Sequence, residues 1–144
     1  MTIKWKSLSK TLKPKTIGML EEVSLPKFGV SGITAKVDTG AYSGSLHATS
    51  IKELVMDKSK VLSFKPHGQT TIVTVDKFHS RRVKSSSGHI STRYAIDTEI
   101  IIKAKRYPIT ITLSDRSSMK YPMLIGRKFL RTHGFLVDVT INNK

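Results

Sequence analysis

The feature that most constrains this chain is its punctuation. From residue 16 onward, short apolar or β-branched runs are separated by Gly, Pro or brief polar stretches. Thr70-Thr71-Ile72-Val73-Thr74-Val75 is wholly β-branched and reads as a strand. Ile33, Ala35 and Val37 alternate with Thr34 and Lys36, the period of a half-buried strand. Further strands are expected over 16–25 (ended by Pro26), 60–64, 92–103, 106–113, 122–125 and 135–141. Segment 45–55 reads as a second short strand followed by a helical turn, and 127–132 as one or two turns of helix. Glycine-containing turns are expected at 27–32 and at 66–69, the latter joining a hairpin. A Lys-rich turn joins 92–103 to 106–113 in a longer antiparallel hairpin. Segments 56–60, 76–91 and 114–121 read as loops. Many short strands with little helix mean an all-β barrel or sandwich, and there is no repeat of fixed period.

A chain of 144 residues is one domain by length. The boundary falls near residue 16, because 1–15 is a basic arm with five lysines, no acid and a solitary Trp5. Residues 16–144 form the single domain. The absence of cysteine excludes disulfides, thiol chemistry and thiolate metal sites. No apolar run approaches the ~18 residues of a membrane span, so no membrane partner is expected. The basic N-terminus is not followed by an apolar signal core. A cytoplasmic location is therefore expected, an exported form with a removed signal being the alternative. Lys and Arg number 25 against 10 Asp and Glu, a formal charge of +15. That excess draws anionic partners. Its spread from Lys4 to Lys144, with no zinc finger, basic zipper or aromatic RNP-like strand, makes nucleic acid the less favoured one.

Chemistry enters at Asp38-Thr39-Gly40. A strand delivers a carboxylate at its end, and Gly40 gives the backbone freedom to turn tightly around it. Alone the tripeptide carries little. A second feature, Leu124-Ile125-Gly126-Arg127, gives it a partner: an apolar strand running into a spot where only bare backbone fits, then a short helix. An Asp-Thr-Gly strand crossed by an apolar-apolar-Gly segment resembles the retropepsin half-fold. The wider chain is similar to the RimK-associated, retropepsin-like proteases. Val23-Ser24-Leu25-Pro26, the stretch from Ala35 to Ala41, Leu46-His47-Ala48 and Arg82-Val83-Lys84-Ser85 carry the resemblance. Gly88, Arg93, residues 113–119, Pro122 to Arg127 and Val137-Asp138 extend it over 17–139.

The resemblance implies a closed retropepsin-like β-barrel with one short C-terminal helix, and an aspartic endopeptidase. One chain supplies one Asp38, whereas aspartic proteolysis needs two carboxylates sharing a proton. The second would come from a C2-related copy, so a homodimer is expected. One Asp38 would act as base on a water while its protonated mate polarises the scissile carbonyl. Thr39 would brace the dyad, and Gly40 would let the substrate backbone approach. Relatives of this kind accompany RimK-type ligases, which add glutamate tails to a ribosomal protein. An acidic peptide or polyglutamylated protein is thus the expected substrate, in keeping with the basic charge. Although the family is often labelled an ATP-dependent zinc protease, the sequence has no His-Glu-x-x-His and no phosphate-binding Gly-Lys loop. No metal and no cofactor are expected. The rival reading is a catalytically silent module binding an acidic protein or RNA partner.

Arg82, Lys84, Arg93 and Arg116 are the candidates for holding substrate carboxylates, Arg being suited to bidentate contacts. Arg93 and Arg116 have a structural alternative as ion-pair partners of Asp97, Asp115 or Asp138. Leu124, Ile125, Gly126 and Arg127 would support the site, Arg127 by bracing the loop around it. His47 lies nearest Asp38 in sequence, and Tyr42 could narrow or cover the acid. The five histidines show no metal-ligand spacing.

Overall fold

The computed structural model describes residues 15–84 and 87–143. Ten strands follow one another: β1 (Lys15–Leu25), β2 (Val30–Val37), β3 (Gly44–Met56), β4 (Ser59–Pro66), β5 (Val73–Val75), β6 (His79–Lys84), β7 (Ile90–Ile102), β8 (Lys105–Ser114), β9 (Met123–Ile125) and β10 (Phe135–Asn143). One short helix, α1 (Arg127–Thr132), precedes β10. The arm expected over 1–15 lies outside the described residues except for Lys15, which opens β1.

Six strands close into a barrel, in the order β1-β2-β9-β3-β8-β7 with β7 returning to β1 through Val23↔Ile102 and Ser24↔Ile101. The chain is all-β with a closed barrel, so of the two architectures left open by the strand pattern, the sandwich is excluded. Alternation fills the interior: Ile17, Leu25, Ala35, Leu46, Ile111, Met123 and Ile125 are all completely buried. Three additions hang on the ring. β10 pairs in parallel with β1, β6 pairs antiparallel with β7, and β4 and β5 extend from β3 as a side sheet. Phe28, in a 3-10 turn (Pro26–Phe28), meets Phe64 of β4 edge-to-face at 5.4 Å and ties this side sheet to the barrel.

The local differences from the sequence reading have physical reasons. Segment 45–55 contains no helical turn. β3 runs unbroken to Met56 because β4 pairs along it, and the register slips only around Ser50, which sits at φ 53°. The expected loop 56–60 is a two-residue hairpin turn in which Asp57 and Lys58 both take positive φ, 50° and 65°. Lys103 and Ala104 do the same at the β7–β8 turn. The latter is the short Lys-rich turn expected there, whereas the former carries no glycine and composition gave no sign of its tightness. The strand expected over 70–75 is paired only from Val73. The expected loop 76–91 contains β6, a mostly polar strand in which Arg81, Arg82 and Lys84 are all exposed.

The ends of the described chain are drawn together by one buried acid. Glu21 Oε1 accepts the Gly18 N–H at 2.8 Å and the Asn143 amide at 2.9 Å, while Lys103 approaches at 4.0 Å. Buried carboxylates persist when partnered in this way, and the contact anchors the last residues of β10 against β1.

Candidate active site

β9 is three residues long and sits between β2 and β3, parallel to the first and antiparallel to the second. Val37 pairs with Ile125, and the Asp38 N–H continues the ladder by donating to the Ile125 carbonyl at 2.9 Å. Asp38 therefore leaves the barrel at a fixed height and direction. Its Oδ1 accepts the Gly40 N–H at 2.9 Å, and its carbonyl accepts the Ala41 N–H at 3.2 Å, so the turn wraps around the acid. Asp38 is partly exposed and Thr39 and Gly40 are exposed.

The turn is clamped from the other side by the start of α1. Arg127 N donates to the Ala41 carbonyl at 2.8 Å, Lys128 N to that of Tyr42 at 3.1 Å, and Arg127 Nη1 to that of Gly40 at 3.1 Å. Arg127 thus braces the loop around the acid. Gly126 makes this approach feasible. It has ordinary extended dihedrals, but a Cβ there would lie 2.7 Å from the Tyr42 carbonyl oxygen and 2.7 Å from the Ser43 carbonyl carbon. Tyr42 projects outward, its ring 5.4 Å from the Arg127 guanidinium and 5.9 Å from the Lys128 ammonium.

Beside this turn opens a cavity of about 650 Å³, with Ala41, Tyr42, Ser43 and Leu124 among its lining residues. Asp38 is not in its lining. The cations that line it are Arg81, Arg93 and Arg116. Arg82 and Lys84 do not reach it, because a strand sends successive side chains to opposite faces and Arg81 is the residue in register with Arg93. Sequence reasoning missed Arg81 because 76–91 read as a loop, where that period does not apply. Among the described residues, none of Asp97, Asp115 and Asp138 forms an ion pair with Arg93 or Arg116. Asp97 accepts the Thr110 hydroxyl, while Asp115 and Asp138 cap Ser117 and Thr140.

Arg116 is held in place by Nε donating to the Tyr121 carbonyl at 3.1 Å and Nη1 to Ser45 Oγ at 3.3 Å. Burial holds its guanidinium below the usual arginine range. His47 fixes the same loop, its Nδ1 accepting the Arg116 backbone N–H at 2.8 Å. It is a positioning residue for the cavity and does not touch Asp38 in any recorded contact. Its ring packs 5.8 Å from that of His67. Among the described residues, no three or more His, Cys, Asp or Glu side chains converge to hold a metal ion. No helix among them is long and apolar enough to cross a membrane.

A closed barrel that delivers an Asp-Thr-Gly turn beneath an inserted apolar-apolar-Gly strand defines a retropepsin-like protein. The chain belongs to the RimB-like family, described as the retropepsin-like aspartic endopeptidase RimB, whose sequence model matches residues 16–143. Among curated proteins it is 35% identical over 127 residues to a probable alpha-L-glutamate ligase of Desulfotalea psychrophila, covering 84% of this chain and 27% of that one. Similar proteins of the same description occur in Parasynechococcus marenigrum (34% over 118 residues, 78% and 25%) and Shewanella halifaxensis (34% over 128 residues, 85% and 28%). The chain thus spans about a quarter of the length of these relatives. The crystal structure of Lpg0085, a protein of unknown function (DUF785) from Legionella pneumophila, superposes with a TM-score of 0.67 at 25% identity. That match covers 90% of this chain and 97% of the other.

Two measurements probe this geometry. Gly126→Ala forces a Cβ onto backbone atoms that cannot swing aside, and it is expected to cost about 1–3 kcal/mol in urea unfolding; an unchanged midpoint would show that the loop is not pressed against β9. His67 is held below its ordinary 6.5 by burial and then by the nearby His47, so the unfolded chain binds this proton more readily. Stability from this group is complete above about 6.5 and declines as pH falls through the lowered value. His67→Gln should therefore flatten the loss of thermal midpoint between roughly pH 7 and pH 5, and an unaltered slope would refute the assignment.

Proposed function

We propose that the protein is an aspartic endopeptidase, acting as a homodimer on acidic, glutamate-rich peptide. The observation that carries this reading is the Asp38 turn. Its backbone is hydrogen-bonded to β9 and to the start of α1, and its carboxylate is oriented by the Gly40 N–H. Such rigidity is what general acid–base chemistry on a peptide bond demands.

Two Asp38 residues related by a twofold axis would share one proton, since like charges held together cannot both ionise. The ionised carboxylate takes a proton from water as the water oxygen attacks the scissile carbonyl carbon. The protonated carboxyl donates to the carbonyl oxygen and stabilises the tetrahedral intermediate. Collapse breaks the C–N bond, with the departing nitrogen taking a proton from the dyad. Thr39 would brace the pair, and Gly40 leaves room for the substrate backbone.

Two observations support an acidic substrate. The charge of +15 attracts polyanionic chains. The relatives bearing a matching region are described as probable alpha-L-glutamate ligases, so a domain of this kind accompanies enzymes named for joining glutamate. On this reading the protein works in the cytoplasm, beside the ligase whose product it processes. The single acid per chain keeps a second reading in view, a silent module that binds an acidic protein or RNA partner without cutting it.

The two readings part on one variant. Asp38→Asn should abolish cleavage of glutamate-rich peptides while leaving the thermal midpoint within a few degrees, and sedimentation should give a dimer. The Michaelis constant of the unaltered protein should rise several-fold between low and high salt as screening shortens. Undiminished cleavage by Asp38→Asn would sink the peptidase reading, and a strict monomer that cuts nothing would leave the binding module.

A further inference from the structure

We propose that Arg81 and Arg93, completed by Arg116, form a subsite that grips a side-chain carboxylate of an extended acidic peptide lying beside Asp38. The proposal rests on the peptide-substrate reading above for its occupant, but not on the chain being catalytically active.

Arg81 and Arg93 lie directly opposite one another in the β6–β7 register, so their side chains leave the same face of the sheet side by side. Like charges directly opposite destabilise a strand pair. Among the described residues, no acid forms an ion pair with either of them. Among the described residues, the acids that form ion pairs with basic side chains are engaged elsewhere: Glu99 with Lys27 and Arg106, Glu53 with Lys60, and Glu21 with Lys103. Asp115 also borders the cavity, but its Oδ1 accepts the Ser117 N–H at 2.9 Å and hydroxyl at 2.6 Å and lies 3.7 Å from His47 Nδ1, and it pairs with none of the three arginines. β6 closes no part of the barrel, and its described side chains are all exposed, so core packing does not explain two facing guanidinia there.

Arg116 adds a third cation to the same cavity from the loop after β8. It is partly buried, yet both of its side-chain hydrogen bonds go to neutral acceptors. A partly desolvated guanidinium with no ion-pair partner among the described residues is poised for an anion, and planar forks match a carboxylate bidentately. The cavity's other lining residues include Ala41 and Tyr42, which follow directly on the acidic turn. A peptide whose scissile bond lay at Asp38 would therefore carry a neighbouring side chain into it, and about 650 Å³ suffices for such a group with its water. The same cations would accept phosphate, but proximity to the carboxylate turn favours peptide over RNA.

The test uses the Asp38→Asn protein, so that binding is read without cleavage, with pentaglutamate and pentaglutamine peptides as probes in titration calorimetry. Pentaglutamate should bind at least ten-fold more tightly. Arg81→Gln and Arg93→Gln should each weaken it roughly ten-fold or more, as loss of a charge-assisted hydrogen bond does. The double variant should lose most of the preference for pentaglutamate. Lys105→Gln, an exposed cation at the β7–β8 turn, controls for net charge and should change little. Equal losses in the Lys105 and arginine variants, or no loss in the latter, overturn the subsite. So does a short RNA that outcompetes pentaglutamate and depends more strongly on the same arginines. Cleavage assays with Asp38 intact separate the two proposals. Arginine-dependent binding without any cleavage defeats the peptidase reading alone, whereas cleavage with kcat/KM indifferent to Arg81 and Arg93 defeats the subsite alone.

Discussion

Everything at this site depends on a three-residue strand being held between two others. β9 has no stability of its own, since three residues cannot form an independent sheet. It exists because β2 and β3 offer it paired edges, and because Met123 and Ile125 are buried completely in the barrel. Its parallel pairing with β2 sets the height of Asp38, and its glycine exit lets the start of α1 close on the residues after the acid. The contacts are reciprocal. Without the tight turn after Asp38, α1 would lose the three carbonyls that receive Arg127 and Lys128. Without Gly126, the two backbones could not meet.

How much of this was legible in the sequence follows from which signals period two can carry. Strands with one buried face announced themselves, and so did the Asp-Thr-Gly and Leu-Ile-Gly segments, because the residue types at those points answer a steric demand. The closed ring was legible only through the resemblance: alternation alone left barrel and sandwich open, and the β1–β7 pairing that decides between them joins residues far apart in the chain. β6 was invisible for the opposite reason. Its sequence is mostly polar, so its residues read as a loop, and the distinction between Arg81 and Arg82 vanished with it. The tight turn at Asp57-Lys58 was likewise hidden, since left-handed backbone is adopted there by residues with no special preference for it. The roles expected of Arg93 and Arg116 as partners of internal acids fail on competition. Asp115 and Asp138 are satisfied by hydroxyl and amide groups two residues away, which are entropically nearer than any arginine.

The electrostatics of the domain are correspondingly lopsided. Its few acids are mostly committed to caps, to one buried latch at Glu21 and to surface pairs, leaving a large surplus of cations facing solvent. Most of those are interchangeable contributors to a diffuse field whose reach is set by salt. The three that border the cavity differ in being gathered, and one of them is partly desolvated. A diffuse field raises the concentration of acidic chains near the surface, whereas gathered guanidinia fix where a given carboxylate rests.

The placement of β6 outside the closed ring separates two kinds of evolutionary freedom. The carboxylate turn is locked into strands whose every neighbour belongs to the core, so substitutions there are filtered by folding before chemistry is consulted. Residues on β6 answer to one neighbouring strand and to solvent. Cations can be exchanged there for acids or apolar side chains with little effect on the barrel. A lineage could in this way change what it recognises while keeping how it reacts, and a designer wishing to retarget the domain would begin at Arg81.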